Sequence, residues 1–103
     1  MGGYSFSKQV VVQDGVDQAT VGSVSSSAST VTLLDLNASR RGAAIYNDSG
    51  SVLYVKYGTG ATASSFTIKM DPSGYFELGT PIYRGIVTGI WAAADGAARI
   101  TEV

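Results

Sequence analysis

The chain has 103 residues, 45% of them hydrophobic and 15% charged, with a net charge of −1 and no His or Cys. A chain of this length makes one domain with a thin core, burying roughly 60–70% of the surface its unfolded form exposes. The composition excludes disulfides and thiolate metal sites, and it lacks the basic face that non-specific nucleic-acid binding needs.

Residues 1–27 read as an extended N-terminal arm. The first six lack the basic start and apolar core of a secretion signal, so the chain is expected to stay in the cell that makes it or to leave on lysis. Residues 8–12 can form one short strand, and residues 13–18 a turn or loop. Residues 20–24 lead into the polar tract Ser25-Ser26-Ser27. The arm's few apolar side chains (Tyr4, Phe6, Val10, Val11, Val12) need a partner or a sister subunit to bury them.

From Ala28 to the C-terminus the hydrophobic period is mostly two, which predicts strands. Residues 30–36 form the first, and the loop Asn37-Ala38-Ser39-Arg40-Arg41-Gly42 follows. Residues 43–47 and 52–57 read as a hairpin turned by Asn47, Asp48, Ser49 and Gly50. Gly58-Thr59-Gly60 is a flexible tip, and residues 65–70 are the next strand. Asp71-Pro72-Ser73-Gly74 predicts a type I turn, with Tyr75-Phe76-Glu77-Leu78 as the return strand. Residues 83–93 are the longest β-capable run, with Val87, Gly89 and Trp91 on one face and Ile86, Thr88 and Ile90 on the other. Asp95-Gly96 is a tight-hairpin signal, and residues 97–102 close the sheet. The expected fold is all-β: an antiparallel β-sandwich or jelly roll of about eight short strands over residues 28–103. No stretch is long and apolar enough to cross a membrane as a helix.

The chemistry-bearing residues are sparse. Without His, a nucleophilic serine would need a lysine or a carboxylate as its base, and none of the thirteen serines lies in Gly-x-Ser-x-Gly. Asp71 and Asp95 are explained as turn formers, and Asp35, Glu77 and Glu102 form no evident pair. Asp14-Gly15-Val16-Asp17 lacks the further acids and the closing Glu of a calcium loop. The expectation is a protein that is not an enzyme and holds no cofactor or metal.

The low charge leaves little repulsion between copies, which favours self-association. Arg40-Arg41 is the only basic pair, suited to a solvated loop or to contact with an acidic partner. Tyr54 and Tyr57 stand three positions apart on one strand, so one of them must face solvent or a partner. Arg40, Arg41, Tyr54 and Tyr57 are the candidate partner contacts.

Several segments together resemble small virion proteins of tailed bacteriophages, and most of all their capsid cement or decoration proteins. They are Arg40-Arg41-Gly42, Asn47-Asp48-Ser49, Leu53-Tyr54-Val55, Phe66-Thr67-Ile68, the Pro-Ser-Gly turn, Tyr75-Phe76-Glu77-Leu78, Pro81-Ile82-Tyr83 and the run from Gly85 to Trp91. The likeness covers about residues 38–102. It implies a homotrimeric structural protein that clips neighbouring major capsid proteins, made in the host cytoplasm and carried on the virion surface. No nucleic acid or membrane partner is implied. The alternative is a carbohydrate- or receptor-binding β module of a phage tail or fibre, with Trp91, Tyr83 and Asn47 as its platform.

Overall fold

The computed structural model describes residues 15–103, so the strand expected at residues 8–12 lies outside the described residues. Eight strands and no helix are found among them: β1 (Thr20–Ser25), β2 (Val31–Leu34), β3 (Ala43–Ser49), β4 (Leu53–Tyr57), β5 (Ile68–Met70), β6 (Tyr75–Glu77), β7 (Val87–Trp91) and β8 (Gly96–Glu102). They form two antiparallel four-stranded sheets, ordered β1-β8-β3-β6 and β2-β7-β4-β5.

The strands arise where β-branched and aromatic residues alternate with small or polar ones. In β3, Ala43, Ile45 and Asn47 are buried while Tyr46 and Asp48 are exposed. In β4, Leu53 and Val55 are fully buried. Both sheets feed one hydrophobic cluster, with Ile45, Ala98 and Ile100 from the first and Leu33, Leu53, Val55, Val87 and Trp91 from the second. At about 25 cal/mol per Å² of buried apolar surface, this shared layer is the main source of stability.

Gly89 faces this layer. A Cβ there would lie 2.8 Å from Leu33 Cδ1 and 3.0 Å from Leu53 Cδ1. Gly89→Val is therefore expected to destabilise the fold by roughly 1–3 kcal/mol through overpacking, measured by urea denaturation. A neutral result would show that the two leucines can move aside.

The connections differ from the hairpins read in the sequence. Asn47 to Gly50, Asp71 to Gly74 and Asp95-Gly96 all lie where the chain crosses from one sheet to the other. Only β4 and β5 are consecutive strands that pair with each other. Local turn chemistry reverses the chain equally well at a hairpin or at a corner, so it does not report which sheet comes next. Ser73 has φ 66°, the positive-φ corner of a type II turn and not of a type I, closed by Gly74 N–H to Asp71 O at 2.8 Å. Gly96 is needed for close approach: a Cβ would lie 2.6 Å from Ser49 Cα.

Two further readings change. Thr20–Ser25 lies within the arm as read from the sequence, but it pairs along its length with β8 as an edge strand. Its Ser- and Gly-rich composition hides its strand character, which the pairing supplies. Gly58-Thr59-Gly60 does not begin a free tip. Thr88 Oγ1 donates to Gly58 O at 2.7 Å and accepts from Ala61 N–H at 3.2 Å, and Thr30 Oγ1 donates to Ala61 O at 2.7 Å. These bonds hold the segment down on the outer face of β7.

Candidate contact surface

The two most buried polar side chains sit where loops meet. Asn37 to Gly42 carries Arg40 from the end of β2 to the start of β3, and its side chain is 0% exposed. Its Nε donates to Glu102 Oε2 at 2.7 Å, Nη1 to Tyr83 O at 2.8 Å and Gly85 O at 3.0 Å, and Nη2 to Asp35 O at 2.6 Å. The guanidinium thus ties the end of β2, the approach to β7 and the end of β8. Enclosure removes Arg40 from the candidate partner contacts: it is neither solvated nor available to a partner. Sequence proximity to Arg41 is uninformative here, because the acceptors come from distant segments.

Arg41 is exposed, and its backbone N–H donates to Val103 O at 2.7 Å. Tyr57 lies on the core side of β4. Its ring stacks on Tyr83 with centroids 4.6 Å apart and leans on Phe76 at 6.4 Å. Burial pushes its phenol above the ordinary value of 10.0. Tyr54 is on the opposite face, half-buried against Phe66 at 5.0 Å. Of the four candidates, then, Arg41 and Tyr54 keep access to a partner, and the structure does not bring them together with the other two.

Asn47 and Trp91 cannot serve as a sugar platform, since both are buried and Trp91 Nε1 donates to Asn47 Oδ1 at 3.1 Å. Tyr83 is partly buried in the Tyr57 stack. The exposed aromatics are elsewhere. Tyr46 on β3 and Tyr75 on β6 are direct cross-strand partners on the outer face of the β1-β8-β3-β6 sheet, 37% and 61% exposed. Arg99, opposite Tyr46 on β8, extends this row and donates to Asp48 Oδ2 and Ser23 Oγ, each at 2.8 Å. Tyr75 shares a hydrogen bond with Glu77, which raises its phenol above 10.0. The result is a sheet face with two rings side by side and charged groups at their margin. Alternation along β3 marks Tyr46 as outward. Its pairing with Tyr75 depends on β6 joining that sheet, which no local signal reports.

One contact has the composition of a serine–lysine pair: Lys56 Nζ lies 2.8 Å from Ser65 Oγ. The ammonium donates to the hydroxyl oxygen, an arrangement that leaves the serine proton with no base to take it. No group of three or more His, Cys, Asp or Glu that could hold a metal ion occurs among the described residues.

Comparison with known proteins finds no matching family model, no similar curated protein and no similar solved structure.

Proposed function

We propose that this chain is a non-enzymatic structural protein of a tailed-phage virion, a homotrimeric cement or decoration protein that binds the major capsid protein and stabilises the shell. One observation carries the reading. The polar side chains of high bonding capacity, Arg40 and Asn47, are spent on internal links, while the outside presents contact groups. Tyr46, Tyr75, Val21 and Leu36 are exposed, and aromatic and aliphatic groups of this kind anchor protein interfaces. The strand order, with only β4 and β5 paired as sequence neighbours, supports a jelly roll, an architecture that recurs in viral capsid and lectin domains. The resemblance over residues 38–102 supplies the virion assignment; fold alone does not carry function. On this reading the protein is made in the host cytoplasm and ends on the capsid surface.

The test is co-sedimentation with capsids that lack the protein. Saturable binding is expected, and Tyr46→Ser with Tyr75→Ser is expected to weaken it by tenfold or more, the scale of one interface anchor. No binding by the unaltered protein would end the cement reading.

A second reading has one observation in its favour. Tyr46 and Tyr75, with Arg99, Asp48 and Glu77 around them, form a small aromatic platform with hydrogen-bonding margins, which suits a saccharide in a tail or fibre module. A glycan array probed with the purified protein decides it: hits lost in Tyr75→Ser support it, and an empty array ends it.

A further inference from the structure

The side of the molecule between β1 and β2 is incomplete. Its ladder with β8 uses Thr20, Gly22, Val24 and Ser26. This follows from the bond of Ser26 N–H to Gly96 O, and from the alternation that leaves the other β8 residues to β3. Val21, Ser23 and Ser25 therefore turn their N–H and C=O groups away from β8, and no other backbone bond reaches them among the described residues. β1 carries no charge, no proline and no bulge, the devices that normally protect a sheet edge. Beneath this edge runs a mainly apolar groove of about 350 Å³, lined by Val24, Leu33, Leu34, Leu36 and Ile100 together with polar groups that include Asp35. Gly22 faces into it, and a Cβ there would meet nothing within 4 Å. Leu36, in its lining, is 74% exposed. An edge with unpaired backbone groups above an unfilled apolar groove is the geometry of strand addition. There the incoming backbone pairs with the edge, and alternate side chains fill the groove.

We infer that β1 accepts residues 8–12 of a second copy of this chain as an added strand. Paired as a strand, that segment would place Lys8, Val10 and Val12 on one face. They offer two aliphatic groups for the groove and one cation for Asp35 at its rim. Lys8 is the only basic residue before Arg40.

The strand comes from another copy because the same copy's segment does not reach. Residues 15–19 are exposed and run into β1 without a turn. A reversal at Gln13 and Asp14 would lay residues 8–12 beside residues 15–19, so that even Lys8 would stop opposite Ala19, short of β1. Contacts in which each arm lies on the next subunit are head-to-tail, and they close into a ring when the rotation between subunits closes. The inference rests on the self-association in the proposed function and not on the capsid.

The test uses the full chain, with hydrogen exchange and light scattering side by side. Amides of Val10, Val11 and Val12, and of Val21, Ser23 and Ser25, are expected to exchange at least about tenfold more slowly at concentrations where the protein is oligomeric than on dilution. Ser23→Pro removes an outward N–H without touching the β8 ladder. It is expected to keep the melting transition, lose the slow exchange of residues 10–12 and fall to the monomer mass. Ser23→Ala keeps the N–H and is expected to behave as the unaltered protein. If Ser23→Ala fails as the proline variant does, the lost Arg99 contact and not strand addition is responsible, and the inference is wrong. An oligomer whose residues 10–12 exchange freely would overturn arm exchange while leaving self-association standing. A monomer at every concentration would overturn both.

Discussion

Replacing Arg40 with alanine is expected to cost about 3–5 kcal/mol, because it strips the cation from Glu102, which keeps the Asn37 amide, and takes the guanidinium donors from three inward carbonyls. A domain of this size has only about 5–15 kcal/mol of stability in total, so the variant should sit near the edge of folding. Arg40→Met tests whether packing suffices. A methionine fills part of the volume, yet Asp35 O, Tyr83 O and Gly85 O still lose their bonds, so most of the loss should remain. Arg40→Lys should not rescue either. One ammonium on a flexible stem cannot span acceptors arranged around a planar fork. Urea denaturation at neutral pH reads all three, with the midpoint of Arg40→Ala lowered by more than about 1 M. A loss under about 1 kcal/mol would mean that water takes over the acceptors and that this end of the molecule is not closed.

Asn47→Leu is the second large effect, expected at about 3 kcal/mol or more. The amide Nδ2 donates to Ser51 O at 2.8 Å, Asp71 O at 3.1 Å and Met70 O at 3.2 Å. With two hydrogens for three acceptors, at least one bond is shared. Oδ1 accepts from Ser49 Oγ at 2.8 Å and from Trp91 Nε1 at 3.1 Å. One side chain thus joins the β3–β4 corner, the β5–β6 corner and β7. Leucine matches its size, but Trp91 Nε1 then stays buried without its acceptor and Met70 O and Asp71 O lose the amide donor, while Ser49 Oγ and Ser51 O keep each other; a buried group left unpaired costs roughly 1–3 kcal/mol where no relaxation occurs. Trp91 is the only tryptophan, so its emission reports the same site directly. A red shift at denaturant concentrations below the main transition is expected in the variant. Asn47→Asp sharpens the test, because an ionised carboxylate would face three carbonyls. Its stability should rise as pH falls, since protonation restores a donor and the folded state takes up the proton more readily than the unfolded one. A flat pH response would show that water reaches the corner.

The two hubs also explain what could be read from the chain alone. Strand positions were legible from residue 30 onward because alternation and β-branching act over a few residues. Ile45 in and Tyr46 out, or Val87, Gly89 and Trp91 on one face, follow from the pleat alone. The opposition of Tyr54 and Tyr57 follows in the same way. Arg40 was misread for a physical reason. An arginine next to another arginine in a polar loop looks solvated, and nothing nearby reports that carbonyls some 45 residues ahead will converge on it. The corners were misread as hairpins because Asn, Asp, Pro and Gly lower the cost of reversing the chain wherever the next strand goes. The contact surface was legible only by half. Tyr46 could be placed outside, but its neighbour could not be named.

What the sequence determined by itself is therefore the all-β class, the alternation within each strand, and the places where the chain turns. These are properties of residue type and short-range geometry. The tertiary structure alone decided which sheet each strand joins, that Arg40 and Asn47 face inward, and that Tyr46 meets Tyr75. Those outcomes depend on burying one apolar layer from both sheets while every enclosed polar group still finds a partner, and the partners lie tens of residues apart: Arg40 with Glu102, and Asn47 with Trp91.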